Sequence, residues 1–209
     1  MKQAASSRLE QRLRRQGYAL IAGADEVGRG ALAGPLVVGC VVLAKPLGFK
    51  VWDSKLLNRS QREQLAQRIL QNAEAVSYGV VEPAEIDTSG MAAALRLGYQ
   101  RAVDRLTSPA DYYVLDGNVN YLTQLSTTPT PSAQAIIRAD QLHACVAAAS
   151  IVAKVYRDRL MIEAAGNFPQ FGFDRHVGYG TAAHRLALND HGPCPLHRRS
   201  FLKFLAAAT

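Results

Sequence analysis

Asp25-Glu26-Val27-Gly28-Arg29-Gly30 is the most informative segment of this chain, and it follows a mostly apolar run at 18–24. The run predicts a strand, and folding alone does not require two adjacent carboxylates at its end. Carboxylate oxygens are the ligands that Mg²⁺ and Mn²⁺ prefer. Two glycines around one arginine let backbone N–H groups and a guanidinium approach a phosphate or a sugar. The stretch therefore indicates metal-assisted chemistry on a nucleic acid backbone.

The composition is that of a basic globular protein. The chain has 209 residues, 48% of them hydrophobic, and a formal net charge of +7, so it can bury the core of one domain and favours a polyanionic partner. Three scattered cysteines are too few for a disulfide framework and indicate a reducing compartment. Residues 1–16 lack the apolar core of a signal peptide, and no run reaches the length of a membrane span. We therefore expect a cytoplasmic protein with no membrane partner.

Apolar runs alternate with helical patterns, which predicts an α/β sandwich around one sheet. Strands are expected at 18–24, 35–43, 76–82, 112–115 and 135–138, and helices at 9–15, 60–73, 88–106, 141–165, 181–189 and 201–207. Ser60-Gln61-Arg62-Glu63 predicts a capping box at the start of the second helix, and Thr88 or Ser89 is expected to cap the third. The polar run 120–132 predicts a loop.

Four acids, Asp25, Glu26, Asp116 and Asp140, stand at or just beyond the ends of predicted strands, where sites gather in open α/β sheets. Acids held close together raise one another's pKa unless cations neutralise them. Two divalent ions about 4 Å apart would do so and would support an in-line phosphoryl displacement. The alternative is that each acid only begins a turn, and it stays open for Asp116, which precedes a glycine. Neighbours on a regular strand face opposite ways, so Asp25 and Glu26 can share a metal only if the strand twists or ends there.

Several motifs in one order resemble the bacterial ribonuclease HII family over nearly the whole chain. They are the segments 21–30, 32–35, 53–55, 115–118, 139–140, 147–155, 157–158, 173–176, 178–181, 184 and 195–201. The resemblance implies an RNase H-like fold with a mixed central sheet flanked by helices and a small helical C-terminal region. We expect a basic N-terminal extension at 1–17, a catalytic domain of this fold at 18–190 and a C-terminal tail packed on that domain at 191–209.

The resemblance also implies an activity, which is endonucleolytic cleavage of RNA in RNA/DNA hybrids and at single ribonucleotides in duplex DNA. Water would attack the phosphate on the 5′ side of the ribonucleotide and leave a 3′-hydroxyl and a 5′-phosphate. Asp25, Glu26 and Asp116 would be the principal ligands of two Mn²⁺ or Mg²⁺ ions, and Asp140 would be the fourth carboxylate. We expect the protein to act as a monomer.

The substrate contacts implied by the resemblance surround these acids. Gly28, Arg29 and Gly30 would read the 2′-hydroxyl and hold the neighbouring phosphate, because that hydroxyl is what distinguishes RNA from DNA. Tyr179 would stack against the sugar on the deoxy side of the junction. Lys55 is a plausible phosphate contact, although a solvated lysine is an equally good interpretation.

The remaining histidines and one cysteine allow two interpretations. His176 and His184 could approach the substrate, but hydrogen-bonded structural histidines are the better interpretation. His191, Cys194 and His197 are spaced like part of a zinc site, yet three ligands interrupted by prolines make zinc unexpected.

Other basic residues are assigned less specific roles. Arg198 and Arg199 are interpreted as solvated surface charge, and Lys154 as a phosphate contact or a solvated lysine. Arg29 argues against the sister ribonuclease HIII class, where lysine is usual at this position. A sliding-clamp contact at 202–209 has no persuasive motif.

A binding module with this fold but without catalysis is the alternative function. A pure binder has no use for several carboxylates that face a phosphate, because they repel it.

Overall fold

Five strands form one mixed sheet in the computed structural model, which describes residues 3–124 and 131–206. They are β1 (Ile21–Val27), β2 (Leu36–Leu43), β3 (Ala75–Val81), β4 (Tyr112–Asp116) and β5 (Ala133–Ile136), arranged in the order β3-β2-β1-β4-β5. The β1–β2 and β2–β3 pairs are antiparallel, and the β1–β4 and β4–β5 pairs are parallel. The predicted α/β class with a mixed central sheet is confirmed.

Eight α-helices accompany the sheet within the described residues. They are α1 (Arg8–Arg15), α2 (Arg59–Asn72), α3 (Pro83–Asp104), α4 (Ala139–Leu142), α5 (Ala144–Asn167), α6 (Phe173–His176), α7 (Ala182–His191) and α8 (Lys203–Ala206). The helix expected at 141–165 is divided, because the extended backbone of His143 separates α4 from α5. Of the loop expected at 120–132, residues 121–124 form a short 3₁₀ turn, and 125–130 lie outside the described residues.

Strand β1 begins three residues later than predicted and continues through the acid pair. Asp25 is paired with Gly39 and Glu26 with Val38 across the antiparallel β1–β2 ladder. The two carboxylates therefore belong to the strand itself, so the expectation that β1 ends before them is wrong. The glycine-arginine turn begins where β1 ends.

Two helix starts differ from prediction because the caps depend on tertiary backbone geometry. Helix α2 is capped by Asn58, whose side chain accepts a hydrogen bond of 2.9 Å from the Gln61 N–H, while Ser60 lies inside the helix. Helix α3 begins at Pro83, and Thr88 and Ser89 donate their hydroxyl hydrogens to carbonyls of the preceding turn instead of capping. Such back-bonding satisfies a hydroxyl within a helix.

Helix α3 changes direction at Gly90, which has a φ of 76°. A positive φ is readily adopted by glycine and rarely by other residues. The glycine therefore separates two helical runs within α3, and the second begins close to the start expected at 88 or 89.

Helix α5 packs directly on the backbone of the sheet. A Cβ at Gly23 would overlap the backbone of Cys145 and Val146, and one at Gly39 would lie 2.8 Å from the Ala149 oxygen. The alanine-rich start of α5 therefore permits close approach to the sheet, as the sequence predicts. This contact places Ser150 and the residues that follow it beside the end of β1.

The chain segments at both ends pack against the rest of the described protein. Leu9 and Leu13 of α1 are buried in the core between α5 and the sheet. Glu10 of the same helix accepts a hydrogen bond of 2.7 Å from the Cys145 N–H at the start of α5. Near the other end, Arg198 N–H donates to the Leu32 oxygen. None of the described helices is both long enough and apolar enough to cross a membrane.

Candidate active site

Asp25 and Glu26 project toward opposite faces of the sheet near the end of β1. Asp25 is 7% exposed and interacts with Ser150 of α5. Glu26 faces α3, where its Oε2 accepts a hydrogen bond of 2.9 Å from the Tyr99 hydroxyl. Neighbouring side chains on a strand alternate in this way, so the two acids approach one site from the two sides of the sheet.

Asp116 is brought beside Asp25 by the register of two parallel strands. Ala24 is paired with Leu115, so the next residue of each strand is an acid. Asp116 Oδ1 accepts a hydrogen bond of 2.7 Å from the Ala139 N–H, at the first turn of α4. The acid therefore links the end of β4 to the segment that carries Asp140.

Asp140 is buried, with 2% of its surface exposed, and it is compensated by a lysine. Lys55 Nζ lies 2.9 Å from Asp140 Oδ2 and 3.9 Å from Asp53 Oδ1. The turn that holds Lys55 is fixed by Arg62, whose Nη1 donates to the Leu57 oxygen at 2.5 Å. A cationic side chain thus already occupies the position beside this carboxylate.

The charges of the other three acids are only partly compensated by their surroundings. Burial, together with the charges of Glu26, Asp116 and Asp140, raises the pKa of Asp25 well above its usual value. Burial also raises the pKa of Glu26 and of Asp116, and the charge of Asp140 adds to the effect on Asp116. Bound cations would favour the ionised forms of all three.

These acids open into a pocket of about 330 Å³ that also contains the glycine-arginine turn. Every predicted site residue except Asp140 lines it, namely Asp25, Glu26, Gly28, Arg29, Gly30, Lys55, Asp116 and Tyr179. Asp140 is connected to the pocket through Lys55. Larger pockets of about 590 and 770 Å³ lie elsewhere and contain one acid each, Glu63 and Asp174. The smaller pocket is therefore where the chemistry of the chain is concentrated.

The donor set fits a divalent metal in its chemistry, although the side chains are not arranged as a finished coordination shell. Within 3–124 and 131–206, no three His, Cys, Asp or Glu side chains are grouped closely enough to hold an ion. Glu26 is bonded to Tyr99 and Asp140 to Lys55. Carboxylate oxygens with raised pKa values are suitable ligands for Mg²⁺ or Mn²⁺. Asp140 would have to exchange Lys55 for a cation, whereas Glu26 could bind one through Oε1 while Oε2 stays bonded to Tyr99.

The two glycines of the turn differ in whether the fold requires a glycine at their position. Gly28 has a φ of 89°, and a Cβ there would overlap the Arg157 guanidinium and lie 2.8 Å from the Pro35 oxygen. Around Gly30, nothing lies within 4 Å of the position that a Cβ would occupy. Packing therefore requires the first glycine and leaves the second unexplained by the fold. Arg29 stands at the rim, with 64% of its side chain exposed and Nη1 3.7 Å from Glu26 Oε1.

Arg198 supports the turn from below, and this corrects its interpretation as solvated surface charge. The side chain is fully buried. Its Nη2 donates to the Gly34 oxygen at 2.8 Å and its Nη1 to the Arg29 oxygen at 3.1 Å. Burial and the neighbouring charge of Arg157 lower the pKa of Arg198 to about 9.

Arg157 of α5 supports the segment after the turn in the same way. Its Nε donates to the Pro35 oxygen at 2.8 Å and its Nη2 to the Ala33 oxygen at 3.0 Å, while Nη1 reaches the Val177 oxygen. Five N–H donors in a rigid plane suit such a set of carbonyls. Membership in the motifs 157–158 and 195–201 was the only sequence signal for either arginine.

Tyr179 is half-buried at the edge of the pocket, below two cations. The Arg157 guanidinium carbon lies 5.4 Å from the ring centre, and Lys154 Nζ lies 5.8 Å from it. Lys154 is also paired with Asp158 at 2.7 Å. Both lysines considered as phosphate contacts, Lys55 and Lys154, line the pocket.

The histidines have hydrogen-bonding roles. His176 donates to the Phe171 oxygen at 2.7 Å and His184 to the Tyr179 oxygen at 2.9 Å, so the structural interpretation of both is confirmed. His197 is bonded to His184 and to the Cys194 N–H.

Sequence reasoning did not assign site roles to Tyr99, Arg62 or Ser150. Ser150 lies in a matched motif, whereas Tyr99 is part of a predicted helix without a local signal of function.

Comparison with known proteins decides the family. The Ribonuclease HII family model matches residues 22–204. The chain belongs to the ribonuclease HII family. Ribonuclease HII from Syntrophotalea carbinolica is 44% identical over 194 residues, covering 92% of this chain and 90% of that protein. Ribonuclease HII from Thermosynechococcus vestitus is 43% identical over 199 residues, covering 94% of this chain and 90% of that protein.

Solved structures confirm the RNase H-like fold. Ribonuclease H2 from Pyrococcus horikoshii has a TM-score of 0.76 and 27% identity, covering 90% of this chain and 98% of that one. RNase HII from Archaeoglobus fulgidus, solved in a complex with PCNA, has a TM-score of 0.74 and 28% identity, covering 86% of this chain and 94% of that one. Bst-RNase HIII in complex with Mn²⁺ has a TM-score of 0.68 at 20% identity, with 90% and 70% covered, and supports the fold alone.

Membership of the ribonuclease HII family establishes the class of reaction. The protein is a metal-dependent hydrolase, an endonuclease that acts on the RNA of RNA/DNA hybrids. The predicted resemblance and the predicted enzyme class are confirmed.

Proposed function

We propose that this ribonuclease HII cleaves both RNA/DNA hybrids and single ribonucleotides in duplex DNA by two-metal-ion hydrolysis. The observation that carries the proposal is one pocket in which Asp25, Glu26 and Asp116, all with raised pKa, face the turn from Gly28 to Gly30. Ionised acids held this close together are unfavourable unless cations bind with the substrate.

In this proposal the carboxylates hold the cations and the rest of the pocket holds the nucleic acid. Asp25, Glu26 and Asp116 are the principal ligands of Mn²⁺ or Mg²⁺, and Asp140 joins them when Lys55 moves away. When bound, the ions supply an activated water and charge stabilisation for the leaving 3′-oxygen. Tyr99 orients Glu26 and Ser150 contacts Asp25, so the two sides of β1 present their acids in fixed directions.

The turn supplies the discrimination between RNA and DNA. The empty space at Gly30 leaves room for a sugar beside the backbone, and the exposed Arg29 side chain can hold the neighbouring phosphate. Tyr179, which lines the same pocket, stacks against the deoxyribose next to the ribonucleotide. Cleavage on the 5′ side of the ribonucleotide then leaves a 3′-hydroxyl and a 5′-phosphate.

The working form proposed is a monomer in the cytoplasm. One chain supplies every residue of the proposed site, and its three cysteines are buried and free. A net charge of +7 supports association with nucleic acid.

The test separates this enzyme from a binding module. Asp116→Asn removes one charge and one metal ligand, so cleavage should fall by about 100-fold or more, the equivalent of several kcal/mol of lost stabilisation. Binding to the duplex should hold or tighten, since a negative charge has left the pocket. The substrate is a duplex with one embedded ribonucleotide, incubated with Mn²⁺, Mg²⁺ or chelator, and the product ends report the cut position.

A matched control makes the same charge change elsewhere. Asp190 is exposed on α7, and Asp190→Asn should leave cleavage unchanged. Normal cleavage by the Asp116→Asn variant would refute the proposed mechanism.

A further inference from the structure

A chain of three hydrogen bonds connects the C-terminal segment to the edge of the pocket. The Cys194 N–H donates to His197 Nδ1 at 3.0 Å. His197 Nε2 and His184 Nε2 are 3.0 Å apart, and His184 Nδ1 lies 2.9 Å from the Tyr179 oxygen. Tyr179 lines the pocket together with the glycine-arginine turn.

The partners assign the ring protons of both histidines. A carbonyl oxygen only accepts, so His184 must donate from Nδ1, and its Nε2 is then the acceptor in the neutral ring. His197 therefore donates from Nε2, which leaves its Nδ1 free to accept from the Cys194 N–H. Both ends of the chain agree on one pair of neutral tautomers.

The surroundings of the pair keep it neutral. His184 is 0% and His197 is 2% exposed. Burial lowers the pKa of His184, and burial with the neighbouring His184 lowers the pKa of His197 to about 4. Phe171 and Phe173 pack edge-on or tilted against the rings. A proton added to either ring would place two N–H groups face to face.

This series of hydrogen bonds holds the segment of Tyr179 against the segment that follows the glycine-arginine turn. The Gly178 oxygen accepts hydrogen bonds from the N–H groups of Leu32 and Ala33, and Ala33 is bridged to the backbone of His197. The histidine pair, Gly178 and residues 32–34 are thus connected to one another. This connected set lies between Tyr179 and the glycine-arginine turn in the order of contacts.

We propose that His184 and His197 are positioning residues that fix the Tyr179 ring relative to the turn at Gly28–Gly30. They thereby set how well the enzyme fits the deoxy side of an RNA–DNA junction. The inference rests on the proposed function, because it assumes that Tyr179 contacts the nucleic acid. Neither histidine touches the substrate or the metal ligands.

The kinetic test compares His197→Ala with and without the tyrosine ring. Loss of a hydrogen bond of about 1 kcal/mol should raise KM for a single-ribonucleotide duplex about 5-fold, with a smaller change in kcat. In a Tyr179→Ala background the same substitution should change KM by less than about twofold, because coupled residues are not additive. An equal increase in KM in both backgrounds would overturn the inference.

Two further variants separate positioning from folding. His197→Gln keeps an N–H that can donate to His184 and should restore KM to within about twofold of the wild type. His191→Ala removes an exposed histidine from α7 and should leave KM unchanged. Failure of the glutamine variant to recover, with an unchanged melting temperature, would overturn the inference.

Nuclear magnetic resonance provides a readout that does not need activity. Labelled ring nitrogens should show the proton on His184 Nδ1 and on His197 Nε2 at neutral pH, and His197→Ala should shift the Tyr179 ring signals. Opposite tautomers, or unchanged Tyr179 ring signals, would overturn the inference. This result does not depend on whether the proposed function is correct. If Tyr179→Ala leaves KM unchanged while Asp116→Asn abolishes cleavage, the inference fails and the catalytic mechanism stands.

Discussion

The Tyr99 hydroxyl donates a hydrogen bond of 2.9 Å to Glu26 Oε2 and joins helix α3 to the acid pair of β1. Tyr99 is fully buried, whereas 16% of the Glu26 side chain is exposed. The bond therefore pulls one carboxylate toward the α3 side of the sheet while Asp25 remains on the α5 side. It also lowers the pKa of Glu26 against the larger effect of burial, which raises that pKa.

Tyr99→Phe should weaken metal binding while keeping the core intact. Loss of the donor removes an effect that lowers the pKa of Glu26, so that pKa rises further, and the carboxylate loses its fixed orientation. The Mn²⁺ concentration for half-maximal cleavage should rise about 5-fold, which corresponds to a hydrogen bond of about 1 kcal/mol. Tyr113→Phe is the control, because its hydroxyl accepts from the Ala110 N–H instead. An unchanged Mn²⁺ requirement would show that Tyr99 does not orient Glu26.

Alanine at the two glycines of the turn should give opposite phenotypes. Gly28→Ala forces a side chain into a φ of 89° and into Arg157, so it should lose about 1–3 kcal/mol of stability. The alanine side chain in Gly30→Ala enters open space, so the free energy of unfolding should stay within about 0.5 kcal/mol of the wild type. This variant should nevertheless bind a ribonucleotide-containing duplex about 10-fold more weakly, because the new methyl group enters the space proposed for the sugar.

Thermal melting and duplex binding in chelator distinguish the two cases. Tight binding by Gly30→Ala would remove this glycine from the proposed substrate contacts.

Much of the fold could be predicted because its signals are local. Apolar runs marked all five described strands to within a few residues, and the small residues of α5 indicated its close packing on the sheet. The start of α2 was missed because Ser60 and Asn58 both have suitable residues three positions later. Only the extended backbone of Asn58 decides between them.

The supporting residues of the site could not be predicted in the same way. Arg198 meets the oxygens of Arg29 and Gly34 across about 165 residues of sequence, and no local pattern specifies which carbonyls converge on a buried guanidinium. Charge alone suggested a solvated residue, and tertiary structure overrides that suggestion. The acids could be identified because carboxylates at the ends of apolar strands indicate a metal site. The residues that orient these acids have no comparable signal in the sequence.

Lys55→Met should make metal binding tighter and nucleic acid binding weaker. Lys55 Nζ now compensates the buried Asp140 carboxylate at 2.9 Å, so its removal leaves that acid available to a cation. If Lys55 also contacts one phosphate, the slope of log Kd against log salt should fall by about 0.9. Titration calorimetry with Mn²⁺ and duplex binding at several salt concentrations measure the two effects.

Lys45→Met is the control for the lysine prediction, because Lys45 is exposed and is not part of the pocket. It should leave both measurements unchanged. Weaker Mn²⁺ binding by Lys55→Met would contradict the idea that this lysine stands in the place of a cation.

Asp25→Asn should stabilise the metal-free protein at neutral pH. Burial and neighbouring acids raise the pKa of Asp25 in the folded state above its unfolded value of about 3.9. Above the folded pKa, the wild type bears the full cost of an ionised buried group. As pH falls through the folded pKa, the folded state binds a proton that the unfolded state does not, so the contribution of Asp25 to stability rises.

Melting in chelator from about pH 8 to about pH 4.5 tests this sign, since the window spans the region above the unfolded pKa. Asp25→Asn should melt higher than the wild type at the alkaline end, and the difference should shrink as pH falls. Asparagine keeps an oxygen that can accept the 2.8 Å hydrogen bond from the Glu26 N–H, so the comparison isolates the charge. Added Mn²⁺ should stabilise the wild type more than the variant. A difference in melting temperature that is independent of both pH and Mn²⁺ would show that the Asp25 charge is not the uncompensated charge on which the site depends.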